Sequence, residues 1–168
     1  MRVSPTYQRL LGIATALFLV TGCGDKGLDK PLPEANQKLV VKAPWSAGSR
    51  IPKRYTCDGA DARPRVTAPA PAGAKELAIV MTDPDAPGGT FVHWTHWGAN
   101  MDGKNSFGKT GYNGPCPPKG DEPHHYVLTV YALRRPLGLP AGSDPGKVVA
   151  AIKEKAFASG SLTGLYGR

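Results

Sequence analysis

Three stretches of the chain carry strand patterns. Residues 77–82 (LAIVMT) form a continuous apolar run, as a strand buried on both faces does. Residues 91–99 (FVHWTHWGA) alternate aromatic and histidine side chains. A period of two places His93, Thr95 and Trp97 on one face and Trp94 and His96 on the other, so the two histidines are expected to point apart. Residues 126–133 (YVLTVYAL) give the third strong strand. Leu39, Val40 and Val41 form a shorter candidate ended by Pro44, and residues 43–72, rich in Pro, Gly and Asp, read mostly as loop. One helix is predicted near the end of the chain. Asp144 stands where a cap is needed and Pro145 at the first turn, and Val148, Val149, Ile152 and Ala156 follow at helical spacing. No internal repeat is present.

Composition supports the strand reading. Glycine (21) and proline (17) together approach a quarter of the 168 residues, which argues against a helical bundle and for short strands joined by many turns. The formal charge is +8, and removing the first 22 residues, which hold Arg2, Arg9 and no acid, leaves 8 − 2 = +6. A basic balance favours anionic partners. The Lys and Arg residues are scattered, with Lys53–Arg54 and Arg134–Arg135 the only adjacent pairs. Without a basic run or a DNA-binding motif, nucleic acid is not an expected partner.

Residues 1–22 read as a signal peptide. Arg2 and Arg9 supply a positive start, and residues 10–20 are an apolar run of eleven, short of the ~20 needed to span a bilayer. The run ends in Val20-Thr21-Gly22-Cys23, which resembles a bacterial lipobox. In such signals the cysteine is diacylated and becomes the new N-terminus, and two or more acyl chains anchor stably. The alternative is ordinary cleavage that leaves Cys23 a free thiol. In both cases the expected location is the cell envelope, facing the periplasm or exterior, with Cys23 and the polar residues 24–38 as lipidated anchor and flexible tether. Two cysteines then remain, Cys57 and Cys116. An even count in an oxidising compartment suggests one disulfide, two separately buried thiols being the alternative. The absence of a CxxC pair argues against redox catalysis and cysteine-type zinc sites.

Polar clusters sit at the ends of the strong strands. Asp83-Pro84-Asp85-Ala86-Pro87 follows the 77–82 run directly, and its two prolines hold the carboxylates in place. His93 to Trp97 is the second cluster. The third is residues 111–120 (GYNGPCPPKG), leading into His124-His125-Tyr126. Glycines and prolines there let the backbone approach a ligand and turn N–H groups toward it. Taken singly, each cluster also reads as a turn, a structural histidine or a loop. Carboxylate, imidazole, phenol and rigid loop within 44 residues, from Asp83 to Tyr126, point to a polar pocket.

At these residues the chain resembles the phosphatidylethanolamine-binding protein family, in particular its bacterial YbhB/YbcL branch. The matching segments are TDPDAP (82–87), HW (93–94), GPCPPKG (114–120), HHY (124–126) and VYAL (130–133), with TCDGAD (56–61) and the final LTGLYGR (162–168). The resemblance covers residues 39–168. It implies an all-β fold, an antiparallel β-sandwich with short peripheral helices, one of them near the C-terminus. It also implies a small pocket for phosphate-like anions and phospholipid head groups. By resemblance Asp83, His93, His124 and Tyr126 line that pocket, Pro87, Gly114, Pro117 and Pro118 shape its walls, and Tyr166 closes it. No cofactor and no metal are implied. The chain departs from the family pattern where Thr95-His96-Trp97-Gly98 follows HW and where Arg63-Pro64-Arg65 follows CDGAD. His96 is then an extra, outward-facing residue, and the two arginines rim the pocket or face solvent.

Binding without a covalent step is the expected role. A hydrolase would use His93 as base and Asp83 as its orienter, but there is no G-x-S-x-G elbow to supply a nucleophile. Metal binding by His93 and His96 is disfavoured if they face opposite ways. Inhibition of an envelope or host protease is the remaining alternative, and no particular protein partner is indicated.

Overall fold

The computed structural model describes Leu28 and residues 31–168. The signal peptide over 1–22, the lipidation of Cys23 and the start of the tether fall outside the described residues. Six strands form one sheet: β1 (Gln37–Lys38), β2 (Glu76–Asp83), β3 (Phe91–Trp97), β4 (Met101–Asp102), β5 (His124–Leu133) and β6 (Ala156–Tyr166). Their order across the sheet is β1-β6-β5-β2-β3-β4. The described residues add a short 3-10 turn (Lys53–Tyr55) and one helix, α1 (Pro145–Lys155).

The antiparallel expectation needs correction at one edge. β1 runs parallel to β6, while the other neighbouring pairs are antiparallel, so the sheet is mixed. The sandwich expectation also differs from what is seen, since the named strands make a single sheet. Where a second layer was expected, the chain forms loops tied by isolated bridges, such as Lys42 to Thr67. The 39–41 strand candidate is displaced too. The Leu39 N–H donates to the Ser159 carbonyl (2.9 Å), after which the chain leaves the sheet and Lys42 pairs with Thr67. The described part of the expected tether lies against the domain: Leu28 donates its N–H to the Thr90 carbonyl (2.9 Å), and Leu28 and Leu32 pack on core residues.

β2 is an inner strand, and its unbroken apolar run is explained by two faces that are both covered. Leu77, Ile79 and Met81 meet one half of the core with Trp94, Tyr126, Leu128 and Val130. Ala78 and Val80 meet the other half with Val92, Trp97, Tyr131 and Leu133. The first half is closed by Trp45, Ile51 and Tyr55, so the Pro- and Gly-rich stretch over 43–72 supplies core as well as loop. The second half is closed by α1 through Val148 and Ile152, both fully buried. Asp144 precedes α1 with no side-chain capping bond; its carboxylate instead lies 3.6 Å from the Lys104 ammonium. Ala156 leaves the helix and opens β6.

β6 is eleven residues long, yet its sequence AFASGSLTGLY has few of the branched and aromatic residues that mark strands. Its glycines let other segments cross it closely. A Cβ at Gly160 would collide with the Leu39 carbonyl, and one at Gly164 would press on Ile51 and the Trp45 indole.

Cys57 and Cys116 form a disulfide, with an S–S distance of 2.06 Å across 59 residues of chain. Closing a loop of that size removes chain entropy from the unfolded state worth about 4 kcal/mol. Reduction, or the Cys57→Ser and Cys116→Ser double variant, is therefore expected to lower the unfolding free energy by up to that amount in urea titrations. Identical midpoints with and without reductant would refute this.

Candidate functional site

The site begins where β2 and β5 end side by side. Asp83, the last residue of β2, accepts a hydrogen bond from His124 Nδ1 at 2.8 Å through Oδ2 and one from the Asp85 N–H at 2.9 Å through Oδ1. Pro84 lies between the two aspartates, so this tight turn is built on a fixed backbone. Asp83 and His124 are 3% and 7% exposed. Burial of both partners is tolerable because each is hydrogen-bonded to the other. The neighbouring pair repeats the pattern at the surface: Asp85 Oδ2 accepts from the His125 N–H (2.7 Å) and from its Nδ1 (2.8 Å). Those bonds, the backbone one foremost, hold the Asp85 carboxyl below the usual carboxylate range. The sequence showed the Asp-Pro-Asp and His-His segments separately; their pairing needed the register of two strands.

Tyr126 follows two residues after His124 on β5, so both point to the same face. Their rings lie 6.4 Å apart and near-parallel, while the His93 ring meets Tyr126 at 5.2 Å, edge to face. The Tyr126 hydroxyl is buried and has no hydrogen-bond partner among the described residues. Burial first, and then the Asp83 carboxylate, push its pKa up. It is therefore a neutral O–H donor beside the Asp83 carboxylate, with no completed hydrogen bond among the described residues.

His93 reaches this face through an irregularity. β2 pairs Met81 with Trp94 and then Thr82 with Val92, so β3 carries one extra residue, His93. Such a bulge re-aims side chains next to it. Val92 and Trp97 consequently pack in one half of the core and Trp94 in the other, and His93 turns to the Tyr126 side with Trp94. The strict alternation expected from the sequence, with His93 opposite to Trp94, is corrected by this extra residue. His93 Nδ1 lies 2.8 Å from the Asn113 carbonyl and must donate to it. Burial pushes the His93 pKa down, which favours neutral imidazole with a lone pair on Nε2. Phe91 and Phe107 pack on the His93 ring at 5.1 and 5.5 Å. Phe107 is 44% exposed despite its apolar ring. Sequence reasoning passed over both phenylalanines, and an aromatic within two residues of a strand histidine was the only available signal.

The third cluster forms the wall beside His93. Asp61, at a positive φ of 50°, accepts from the Gly114 N–H (2.7 Å) and from Asn113 Nδ2 (3.2 Å). A Cβ at Gly114 would collide with the Tyr55 carbonyl, so only glycine fits. Pro117 is buried, whereas Pro118 and Pro87 are exposed. Tyr166 pairs with His124 across β5 and β6. Its hydroxyl donates to Asp58 Oδ2 at 2.7 Å, and Arg168 Nη2 also reaches Asp58, at 2.9 Å. Asp58 is thus held between the C-terminal segment and the disulfide at Cys57.

His96 does not join this group. Its Nδ1 lies 2.9 Å from Asp102 Oδ1 and its ring stacks on Trp94 at 5.4 Å. With a side chain 14% exposed, it is partly buried and not the outward-facing residue expected. Beside His124 a cleft of about 500 Å³ opens, lined by Asp85, Asp121, Glu122, Pro123 and His125. No set of three His, Cys, Asp or Glu side chains among the described residues is placed to hold a metal ion.

Comparison with known proteins gives the family and the fold. The family described as phosphatidylethanolamine-binding protein matches residues 41–167. LppC of Mycobacterium tuberculosis, named as a lipoprotein, is 38% identical over 151 residues, covering 81% of this chain and 75% of its own. The UPF0098 protein of Aquifex aeolicus is 38% identical over 150 residues, covering 77% of this chain and 88% of its own. Among solved structures, Escherichia coli YbcL, described as a member of the mammalian family, superposes with a TM-score of 0.70 at 27% identity, over 77% of this chain and 98% of its own. A Chlamydia trachomatis homologue gives 0.72 at 27% identity, over 79% and 99%. With its motifs, fold and relatives in agreement, the chain belongs to the phosphatidylethanolamine-binding protein family.

Proposed function

We propose that the chain is an exported, lipid-anchored protein that binds a small phosphate-bearing ligand, free or as a phospholipid head group, in the pocket of Asp83, His93, His124 and Tyr126. The observation that carries this reading is the buried Tyr126 hydroxyl, which completes no hydrogen bond among the described residues, on a ring flanked by two imidazoles. A buried donor without an acceptor costs about 1–3 kcal/mol, and a phosphoryl oxygen would relieve that cost. His93 Nε2, an acceptor in the neutral ring, suits the proton of a monoprotonated phosphate. His124 is oriented by Asp83, and Gly114, Pro117, Pro118 and Pro87 form the rim, with Tyr166 at the closing edge. Anchoring through Cys23 would hold the pocket at a membrane surface in the envelope. The lipobox-like Val20 to Cys23 supports this, as does the naming of LppC as a lipoprotein.

Two predictions follow from these roles. Tyr126→Phe removes one oxygen and nothing else. It is expected to weaken phosphoethanolamine binding about tenfold in calorimetric titration, while thermal stability holds or rises because an orphaned hydroxyl is gone. Unchanged affinity in this variant, together with His93→Ala and His124→Ala, would sink the reading. The second concerns protonation. Sulfate offers no proton, so it requires charged His93, whose pKa is lowered by burial. Sulfate affinity should therefore rise as pH falls, by up to about tenfold per unit, levelling off only beneath the lowered pKa of His93, and His93→Gln should flatten that slope. A pH-independent sulfate affinity would contradict the assigned protonation state.

A further inference from the structure

A second cleft, of about 320 Å³, lies along the sheet face that carries Trp94 and is lined by Arg63, Arg65, Val66, Ile79, Trp94 and His96. None of these residues takes part in the pocket described above. We propose that this cleft is a second binding site, for a small monoanionic amphiphile: a carboxylate carrying a short apolar group.

The cleft is built around Asp102. Its Oδ1 accepts from Trp94 Nε1 (2.9 Å) and lies 2.9 Å from His96 Nδ1. Its Oδ2 lies 3.5 Å from Arg63 Nη1. The imidazole therefore uses one nitrogen inward and keeps Nε2 for another partner. The Arg63 guanidinium also sits 5.8 Å from the centre of the Trp94 ring, and its side chain is about half exposed, at 49%. Arg65 is exposed and has no hydrogen bond, ion pair or ring contact among the described residues. Pro64, buried between the two arginines, fixes the backbone there, and both arginines line the same cleft. The segment is pinned by the paired bonds of Thr67 with Lys42 (2.9 and 3.0 Å). Both arginines are thus rooted at one cleft by a fixed backbone, Arg63 tied to Asp102 and Arg65 without a partner among the described residues.

Charge and shape then select the ligand. Two guanidiniums against one carboxylate leave a single positive charge, which matches a monoanion. Arginine's planar fork suits a carboxylate bound through both oxygens. Pro64, Val66 and Ile79 give the cleft an apolar wall, which a bare inorganic ion would leave uncovered and a short hydrocarbon group would fill. The Trp94 ring is already enclosed, with Arg63 on one side and His96 stacked on it, so the apolar group lies against the aliphatic wall and not on the indole.

Octanoate serves as the probe, titrated into the intact chain while the Trp94 indole N–H and His96 ring resonances are followed by NMR. Saturable shifts are expected with a dissociation constant on the order of 1 mM. Arg65→Gln, at an exposed and unpaired position, should weaken binding about tenfold, and Arg63→Gln should do likewise. Octyltrimethylammonium, with the same tail and the opposite charge, should leave the resonances in place. Phosphoethanolamine titrated into the same samples should bind Arg65→Gln as it binds the parent chain, which separates this site from the first. Absence of saturation, shifts undiminished in both arginine variants, an equal response to the cationic probe, or displacement of octanoate by phosphoethanolamine would each overturn the proposal.

Discussion

The contact between Asp83 and His124 holds the rest of the site in place. It joins the end of β2 to the start of β5 at a depth where neither group meets much solvent, and a buried carboxylate without its partner would be strongly destabilising. Asp83 accepts from His124 and from the turn N–H of Asp85, and its carboxylate also bears on the buried Tyr126 hydroxyl. The phenol keeps its proton and completes no hydrogen bond among the described residues. The pair therefore orients an imidazole beside a neutral phenol, and in the proposed reading both meet a ligand oxygen.

The sequence made the strongest strands legible because their burial is written in composition. β2 and β5 read as apolar runs, and the two buried positions of α1, Val148 and Ile152, stood at helical spacing behind a proline. What it hid were features set between segments. The extra residue at His93 exists only relative to the pairing of β2, and a strand read alone gives no sign of it. The parallel seating of β1 on β6 depends on chain that returns from far away. β6 itself was illegible because glycine and small residues, which weaken a strand signal, are there to let residues 39–51 pass over it. The candidate liners Asp83, His93, His124 and Tyr126 were named from motif resemblance, whereas Phe91, Phe107, Asn113 and Asp61 emerged only from contacts.

The disulfide has a place in this logic beyond stability. Cys57 and Cys116 lie in the two loops that Asp61 also joins through Gly114 and Asn113. The Cys57 N–H reaches the Pro115 carbonyl at 3.1 Å as well. The same loop pair supplies the Asn113 carbonyl that sets the tautomer of His93. Covalent bond, carboxylate clasp and backbone bond thus act on one object, the wall beside the imidazole. Redundancy of this kind suits a segment of glycines and prolines, which has little secondary structure of its own to hold it.

The two faces of the sheet are closed in different ways, and this accounts for where polar chemistry can collect. On one face α1 lays down apolar side chains and satisfies its own backbone within the helix. On the other the cover is loop over 43–72, whose N–H and C=O groups must find partners individually. Some find side chains, as the Tyr55 carbonyl finds the Tyr112 hydroxyl, while Asp61, Asp83 and Asp102 answer N–H donors around this cover. Carboxylates brought in to satisfy backbone, indole and imidazole donors in turn fix histidines and attract arginines. A sheet face roofed by loops is therefore prone to carry concave polar sites. The proposed Asp83 pocket and the Asp102 cleft are two outcomes of the same requirement, one centred on a buried phenol and the other on a pair of guanidiniums.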